Sequence, residues 1–303
     1  MIFIESKMIN LIHQEMNHLI VSKLTNSGLK ELLLSFIAHK KALNFAQLTW
    51  IHYQAFGGKG EQIYRLAAAV ELLILSFDIL DDLEDQDNTE EPWMQLDYSL
   101  SLNAATTLYT LSQSAILTLH SSHKVEIYQS FLKYSLLAME GQHDDLENNI
   151  TSEEHCLQTM KLKSGSLIAL ASVCGMQLAG KYDTKVEEYS YEIGLAAQTE
   201  NDFRDLFNPH KKDSSSKKQS LAYLYLQKKY NNHSNDLFLF YNSKQDIQQF
   251  FGSLESYKQK LLNAGILQYL NVIKQVAINR AARIIDSLNL DQDQIDRIKS
   301  TIL

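Results

Sequence analysis

From residue 8 onward, apolar side chains recur every three or four positions, the spacing of a helix with one buried face. It predicts amphipathic helices over 8–24 and 29–50, with a stop and restart at Asn26-Ser27-Gly28. The rhythm breaks at Phe56-Gly57-Gly58-Lys59-Gly60. It resumes from Ala67 to Leu80 in a run so apolar that little of its circumference is left for water, which marks a buried helix. Further helices are expected over 99–119, 124–147, 161–175, 189–197, 220–230, 234–250, 254–264 and 266–288. Alternating β-branched runs closed by Asn-Gly or Asp-Gly turns are nearly absent, and two prolines and eleven glycines leave long helices uninterrupted. The fold class read from this pattern is all-α.

The buried run ends in carboxylates. Asp78, Asp81, Asp82 and Asp85 are spaced by three and four, so they line one helical face. Like charges so placed repel one another. The cluster makes sense where a divalent cation or cationic partner neutralises it, and Mg²⁺ takes oxygen ligands that it shares with substrate phosphates. A solvated acidic helix end is the plainer alternative. Against it stands the burial of the helix, since an unpaired buried carboxylate is costly. A second such face follows at Gln198, Asn201, Asp202 and Asp205. Two facing acidic helices can hold several Mg²⁺ ions and a diphosphate between them.

Cationic candidates accompany both faces. Lys161 and Lys163 open a helix of small and aliphatic residues, where a lysine at the rim of an apolar cavity is a natural diphosphate anchor. Lys59 sits in a glycine-rich turn, which can bind an anion or be a turn alone. Residues 86–93 are acidic, close with Pro92 and read as an exposed loop. Residues 208–219 are polar and lysine-rich; they form either a plain connector or a lid that closes over phosphates. His143 beside Asp144 is a weak metal candidate, because adjacent helical residues point apart.

Composition narrows the partners. The formal net charge of −8, with no basic patch to offset it, argues against nucleic acid. Cys156 and Cys174 are too few for a disulfide scaffold, and reduced thiols fit the cytoplasm. Glu5 and Glu15 near the N-terminus fit no signal peptide, and the apolar run containing Glu71 and Asp78 falls short of a transmembrane segment. The length, 303 residues with 45% hydrophobic content, fits one large domain or two.

Taken together, the segments from Gly57 to about Leu221 resemble the trans-isoprenyl diphosphate synthase family. Asp81-Asp82-Leu83-Glu84-Asp85 is similar to its first aspartate-rich motif, with Glu71 upstream at the usual distance. Gly194 through Asp205 is similar to the second, with Asn201 in the place of its first aspartate. Lys163-Ser164, Gly141-Gln142 and Lys218-Gln219-Ser220-Leu221 are similar to three shorter elements. The resemblance implies a single helical domain over 1–303, a bundle around a central apolar cavity between two aspartate-rich helices. It implies Mg²⁺ on Asp81, Asp82, Asp85, Asn201, Asp202 and Asp205, with Lys59, Lys163, Gln198 and Lys218 binding diphosphate. The catalytic set is then Asp81, Asp82, Asp85, Lys163 and Asp202. Phe77, one turn before Asp81, would cap tail length from the cavity floor, unless it is an ordinary core residue.

The departures matter equally. Gly57-Gly58-Lys59-Gly60-Glu61-Gln62-Ile63 keeps the lysine of the family's Gly-Gly-Lys-Arg-x-Arg-Pro and loses both arginines, and none follows the first motif. Those arginines hold isopentenyl diphosphate in the family, so the resemblance implies an acceptor other than that anion. His52-Tyr53, the stretch Asp78 to Asn88 and the stretch Leu162 to Leu170 are most similar to members that modify competence-pheromone precursors for quorum sensing. These imply a geranyl or farnesyl diphosphate donor and a precursor peptide attacked at indole C3 of its tryptophan. Two alternatives stay open. One is an ordinary short-chain synthase in which Arg65 or His52 replaces the missing arginines; the other is a non-catalytic helical protein that binds a diphosphate or a partner. A homodimer, the family's usual assembly, also stays open.

Overall fold

The structure is a computed structural model, and it describes residues 2–40, 42–86, 88–207 and 219–303. Among the described residues there are helices and no strands. The N-terminal part comprises α1 (Ile2–Lys23), α2 (Ser27–His39), α3 (Asn44–Ala55), α4 (Gln62–Asp85), α5 (Tyr98–Leu117) and α6 (Lys124–Glu147). Next come α7 (Glu153–Met160), a π-helical turn (Lys161–Gly165), α8 (Ser166–Leu178) and α9 (Thr184–Asp205). The C-terminal part carries α10 (Leu221–Gln227), α11 (Asn232–Tyr241), α12 (Ile247–Phe251), α13 (Leu254–Ala264), α14 (Ile266–Asp286) and α15 (Gln292–Ile302).

Helix α4 is the axis. Every residue from Leu66 to Ser76 is buried, as its unbroken apolar run requires. It packs against α1, α3, α5 and α8 in the larger of two hydrophobic cores. The smaller core joins α7 and the end of α9 to α10–α14. Helix α14 lies along α9 and serves both, with Ala281 and Ile285 in the larger core and Leu270 and Ala277 in the smaller. The acidic ends of α4 and α9 fall where the two cores meet.

Three boundaries differ from the sequence pattern. The helix expected over 29–50 is two helices, the first ending at His39 and the second beginning at Asn44. Lys40 leaves the helix at φ −67°, ψ 105°, and α3 begins without a side-chain cap of its own. Its Ala46 N–H donates instead to Glu71 Oε2 of α4 at 2.7 Å. A carboxylate distant in sequence thus satisfies a helix terminus, which no local pattern reports. Second, the segment expected to be an exposed loop folds back as a 3-10 turn, Pro92–Gln95, burying Trp93 edge-on against Phe36 at 5.6 Å. Third, the stretch 234–250 divides into α11 and α12, with Asp246 capping the second at Gln249 N–H, 2.7 Å away. Among the described residues no helix is long and apolar enough to cross a membrane.

Candidate active site

A cavity of about 550 Å³ opens between the two cores. Helix α4 contributes Asp81, Glu84 and Asp85; α6 contributes Asp145; α9 contributes Gln198, Asn201, Asp202 and Asp205; the π-turn contributes Lys163. The fold therefore brings both acidic faces to one space. Its opposite wall is apolar, formed by Ile150, Cys156, Met160, Leu206, Ala222 and Leu226.

Two close backbone approaches build the centre of the site. A Cβ on Gly141 would lie 2.3 Å from Lys163 N, and one on Gly194 would lie 2.2 Å from Gly165 Cα. Only glycine permits α6 and α9 to press so tightly on the π-turn. The turn in turn aims Lys163 into the cavity, in keeping with the frequent placement of π-bulges at functional sites. Lys163 Nζ lies 3.0 Å from Asp81 Oδ1 and donates to Asp145 Oδ2 at 2.9 Å, so it ties α4 to α6. Burial opposes its charge, but Asp81 and Asp145 overcome that and hold the amine above the usual lysine range.

On the facing helix, Gln198 accepts from Ser164 Oγ at 2.8 Å and donates to Asp202 Oδ1 at 3.3 Å. Burial pushes the Asp202 carboxyl up to about 7 despite that hydrogen bond, and Asp205 and Asp145 add repulsion. An all-oxygen donor set whose buried member resists ionising on its own suits a hard divalent cation. Among the described residues no three such groups converge on one point. The carboxylates instead face one another across the cavity, an arrangement that leaves ligand positions to phosphate oxygens and water.

Asp82 is placed apart from the other carboxylates expected to hold the metal. It is buried outside this cavity, and its two oxygens accept from Asn88 Nδ2 at 2.6 Å and Trp93 Nε1 at 2.7 Å. Its neighbour Asp81 turns to Lys163 instead, because successive helical residues diverge by about 100°. Burial lifts the Asp82 carboxyl to about 6, with both hydrogen bonds opposing.

Lys59 is also displaced. It is exposed in the turn before α4, whereas Asp81 lies near that helix's far end. At 1.5 Å per residue the two are roughly 30 Å apart, so Lys59 cannot reach a diphosphate held by Asp81. Gly57 and Gly60 adopt φ +83° and +119°, and the glycine-rich stretch serves the turn. Lys161 is engaged by Glu192. Phe77 is not among the residues lining this cavity; its ring stacks on Tyr109 at 6.2 Å, as a core residue would. Neither substitute for the missing arginines is available, since Arg65 Nε pairs with Glu15 Oε1 at 2.6 Å and His52 is fully buried against Tyr189. His143 pairs with Glu147 at 3.6 Å on the surface. Lys218 and residues 208–218 lie outside the described residues.

Two residues went unread. Asp145 follows Gly141 by four, so both share the α6 face that meets Lys163, and that spacing was a usable signal. Lys40 gave none, because it stands inside an uninterrupted apolar rhythm. Its Nζ lies 3.2 Å from Glu71 Oε1 and 2.9 Å from Asp78 Oδ2. Asp78 is thus neutralised by lysine. Burial pushes the Glu71 carboxyl up, and Lys40 and the Ala46 N–H pull it back. Lys40, Asp78 and Trp93 line a second cavity of about 410 Å³, which shares Asp81 and Asn88 with the first.

Comparison with known proteins agrees with this geometry. The family model "Polyprenyl synthetase" matches residues 34–250. The tryptophan prenyltransferase ComQ of Bacillus spizizenii is 40% identical over 278 residues, 91% of this chain and 99% of that protein. Its counterpart in Bacillus subtilis strain 168 is 39% identical over 290 residues, 95% and 96% of the two chains. In fold, a solved geranylgeranyl pyrophosphate synthase superposes with a TM-score of 0.85 at 17% identity, covering 97% of this chain and 95% of its own. With both aspartate-rich helices on one cavity and the family model spanning most of the sequence, the chain belongs to the polyprenyl synthetase family.

Proposed function

We propose that the protein is a Mg²⁺-dependent prenyltransferase that moves a geranyl or farnesyl group from its diphosphate to a tryptophan of a precursor peptide. The observation that carries this reading is the pairing of two acidic helix ends across one cavity with Lys163 between them. The names of the two relatives identical at about two positions in five supply the tryptophan.

Asp81, Asp85, Asn201, Asp202 and Asp205 would hold the cation, which supplies positive charge to the diphosphate oxygens. Lys163 donates to the same anion. As the allylic C–O bond breaks, its electron pair leaves with the diphosphate, and a fixed ammonium stabilises that growing charge more than the ground state. Asp82 keeps α4 and the Trp93 turn in register and supports the metal face from behind. The apolar wall of Ile150, Met160, Leu206 and Leu226 keeps water from the allylic cation. Indole C3 of the acceptor then forms the new C–C bond, and the backbone nitrogen of the same residue closes a ring on C2 as its proton passes to the released diphosphate.

The test is mass spectrometry of a tryptophan-containing precursor peptide incubated with the protein, Mg²⁺ and geranyl or farnesyl diphosphate. A gain of one prenyl group on tryptophan supports the reading and reports the donor. Elongated isoprenoids from isopentenyl diphosphate, with no peptide product, would replace it with an ordinary synthase; absence of both products would favour a binding protein.

A further inference from the structure

We propose that Lys161 and Glu192, an ion pair outside the cavity, are positioning residues that hold the π-helical turn in the shape that aims Lys163 at the diphosphate. This rests on the diphosphate site proposed above and not on the identity of the acceptor.

Three polar side chains leave the turn in different directions. Lys163 runs to Asp145 of α6 and Asp81 of α4, and Ser164 donates to Gln198 of α9 at 2.8 Å. Lys161, two positions before Lys163, points to another side, as residues two apart on a helix do. It is not among the residues lining the cavity, and it is paired with Glu192 of α9. The pair sits where the shape of the turn is decided. Ser166 N–H donates to Lys161 O, the bond across five residues that makes this turn wider than an α turn. Glu192 stands two residues before Gly194, where α9 meets the backbone of Gly165. The Lys161–Glu192 and Ser164–Gln198 pairs thus tie the turn to α9 on either side of that glycine contact. A π turn holds one residue more than an α turn, so relaxation toward α geometry would swing Lys163 by as much as about 100° around the axis. The anchor is itself fixed. Glu192 is 8% exposed, with Lys161 on Oε1 and Arg280 of α14 at 3.9 Å from Oε2. Enclosed ion pairs add little net stability, but they can specify one geometry.

Binding of inorganic pyrophosphate in the presence of Mg²⁺, followed by calorimetry, reads Lys163 without any acceptor, because pyrophosphate carries the charge that the leaving group develops. Lys163→Gln is expected to weaken it by roughly tenfold or more. Lys161→Met should weaken it by roughly fivefold, and Lys161→Arg, which keeps the pair, by less than about twofold. In the Lys163→Gln background, Lys161→Met should add less than about twofold, since the pair acts through an ammonium no longer present. Lys161→Met alone strands the Glu192 carboxylate, so it is also combined with Glu192→Gln, which removes both charges. The Tm of that double variant should return toward wild type, while the loss of affinity and a matching fall in kcat for prenyl transfer remain. Recovery of pyrophosphate affinity together with Tm, or the full fivefold loss in the Lys163→Gln background, would overturn the positioning role. No binding of pyrophosphate by the wild-type protein would overturn the diphosphate site and this inference together. Absence of a peptide product, with the pyrophosphate losses as expected, would support the positioning role and overturn only the proposed acceptor.

Discussion

Replacing Lys40 by methionine tests the junction that joins the end of α2 and the start of α3 to α4. Glu71 is fully buried, and its Oε2 is satisfied by the Ala46 N–H. Its Oε1 has Lys40 Nζ at 3.2 Å and no other hydrogen-bond partner. Methionine matches the aliphatic stem of lysine and removes only the charge. Asp78, with 48% of its side chain exposed, loses its partner into solvent and contributes little. Glu71 is left as an uncompensated buried carboxylate, and breaking such a pair costs about 3–5 kcal/mol. For 303 residues, an unfolding entropy of about 2.1 cal/mol/K per residue converts 3 kcal/mol into a fall in Tm of roughly 5 °C. The double variant Lys40→Met with Glu71→Gln removes both charges and keeps an acceptor for Ala46, so most of the loss should return. Chemical denaturation of the four proteins in a double-mutant cycle measures the coupling. The sign with pH follows as well. Without Lys40 the folded pKa of Glu71 rises further above its unfolded value, so the single variant is relatively most stable under acid and loses stability as pH rises through that folded pKa. A loss under 1 kcal/mol in the single variant, or no recovery in the double, would refute the reasoning.

Three further outcomes follow from the same geometry. Lys163→Gln is expected to lower kcat for prenyl transfer by about 10²–10³-fold, the scale for removing one preorganised donor to developing charge, with little change in KM; single-turnover rates measure it. Lys59→Ala should leave kcat/KM within about twofold of wild type, because the turn before α4 is roughly 30 Å from Asp81 along the helix; steady-state kinetics measure it, and a tenfold loss would place Lys59 in the site after all. His52 Nδ1 donates to Leu48 O at 2.7 Å while Nε2 accepts from the Tyr189 hydroxyl, and burial pushes the imidazole down to about 4. The unfolded chain takes up this proton below about pH 6.5 and the folded chain only near 4, so roughly 3 kcal/mol of stability disappears as pH falls through that window. His52→Gln should flatten the acid limb of stability measured by denaturation from pH 7 to pH 4.

What could be read in the sequence was what repeats with the helical period. The all-apolar run of α4 announces a buried helix, and aspartates at spacings of three and four announce a common face wherever the helix lies. Those signals survive folding because they belong to one element. The break at Lys40 belongs to two, since the group that caps the start of the next helix is Glu71 on a third, 25 residues beyond Ala46. The same limit explains the lysines. In the chain, Lys59 beside glycines and Lys163 beside small residues look equally suited to a phosphate. Only the direction of α4, which runs away from Lys59 and toward Asp81, separates them. Asp82 and Asp81 are indistinguishable as letters, yet one helical step turns the first to Trp93 and the second to Lys163. Chemistry of this kind is therefore legible as a face and illegible as a contact. Lys40 with its two carboxylates, and the pairing of His39 with Glu91, are contacts of that kind.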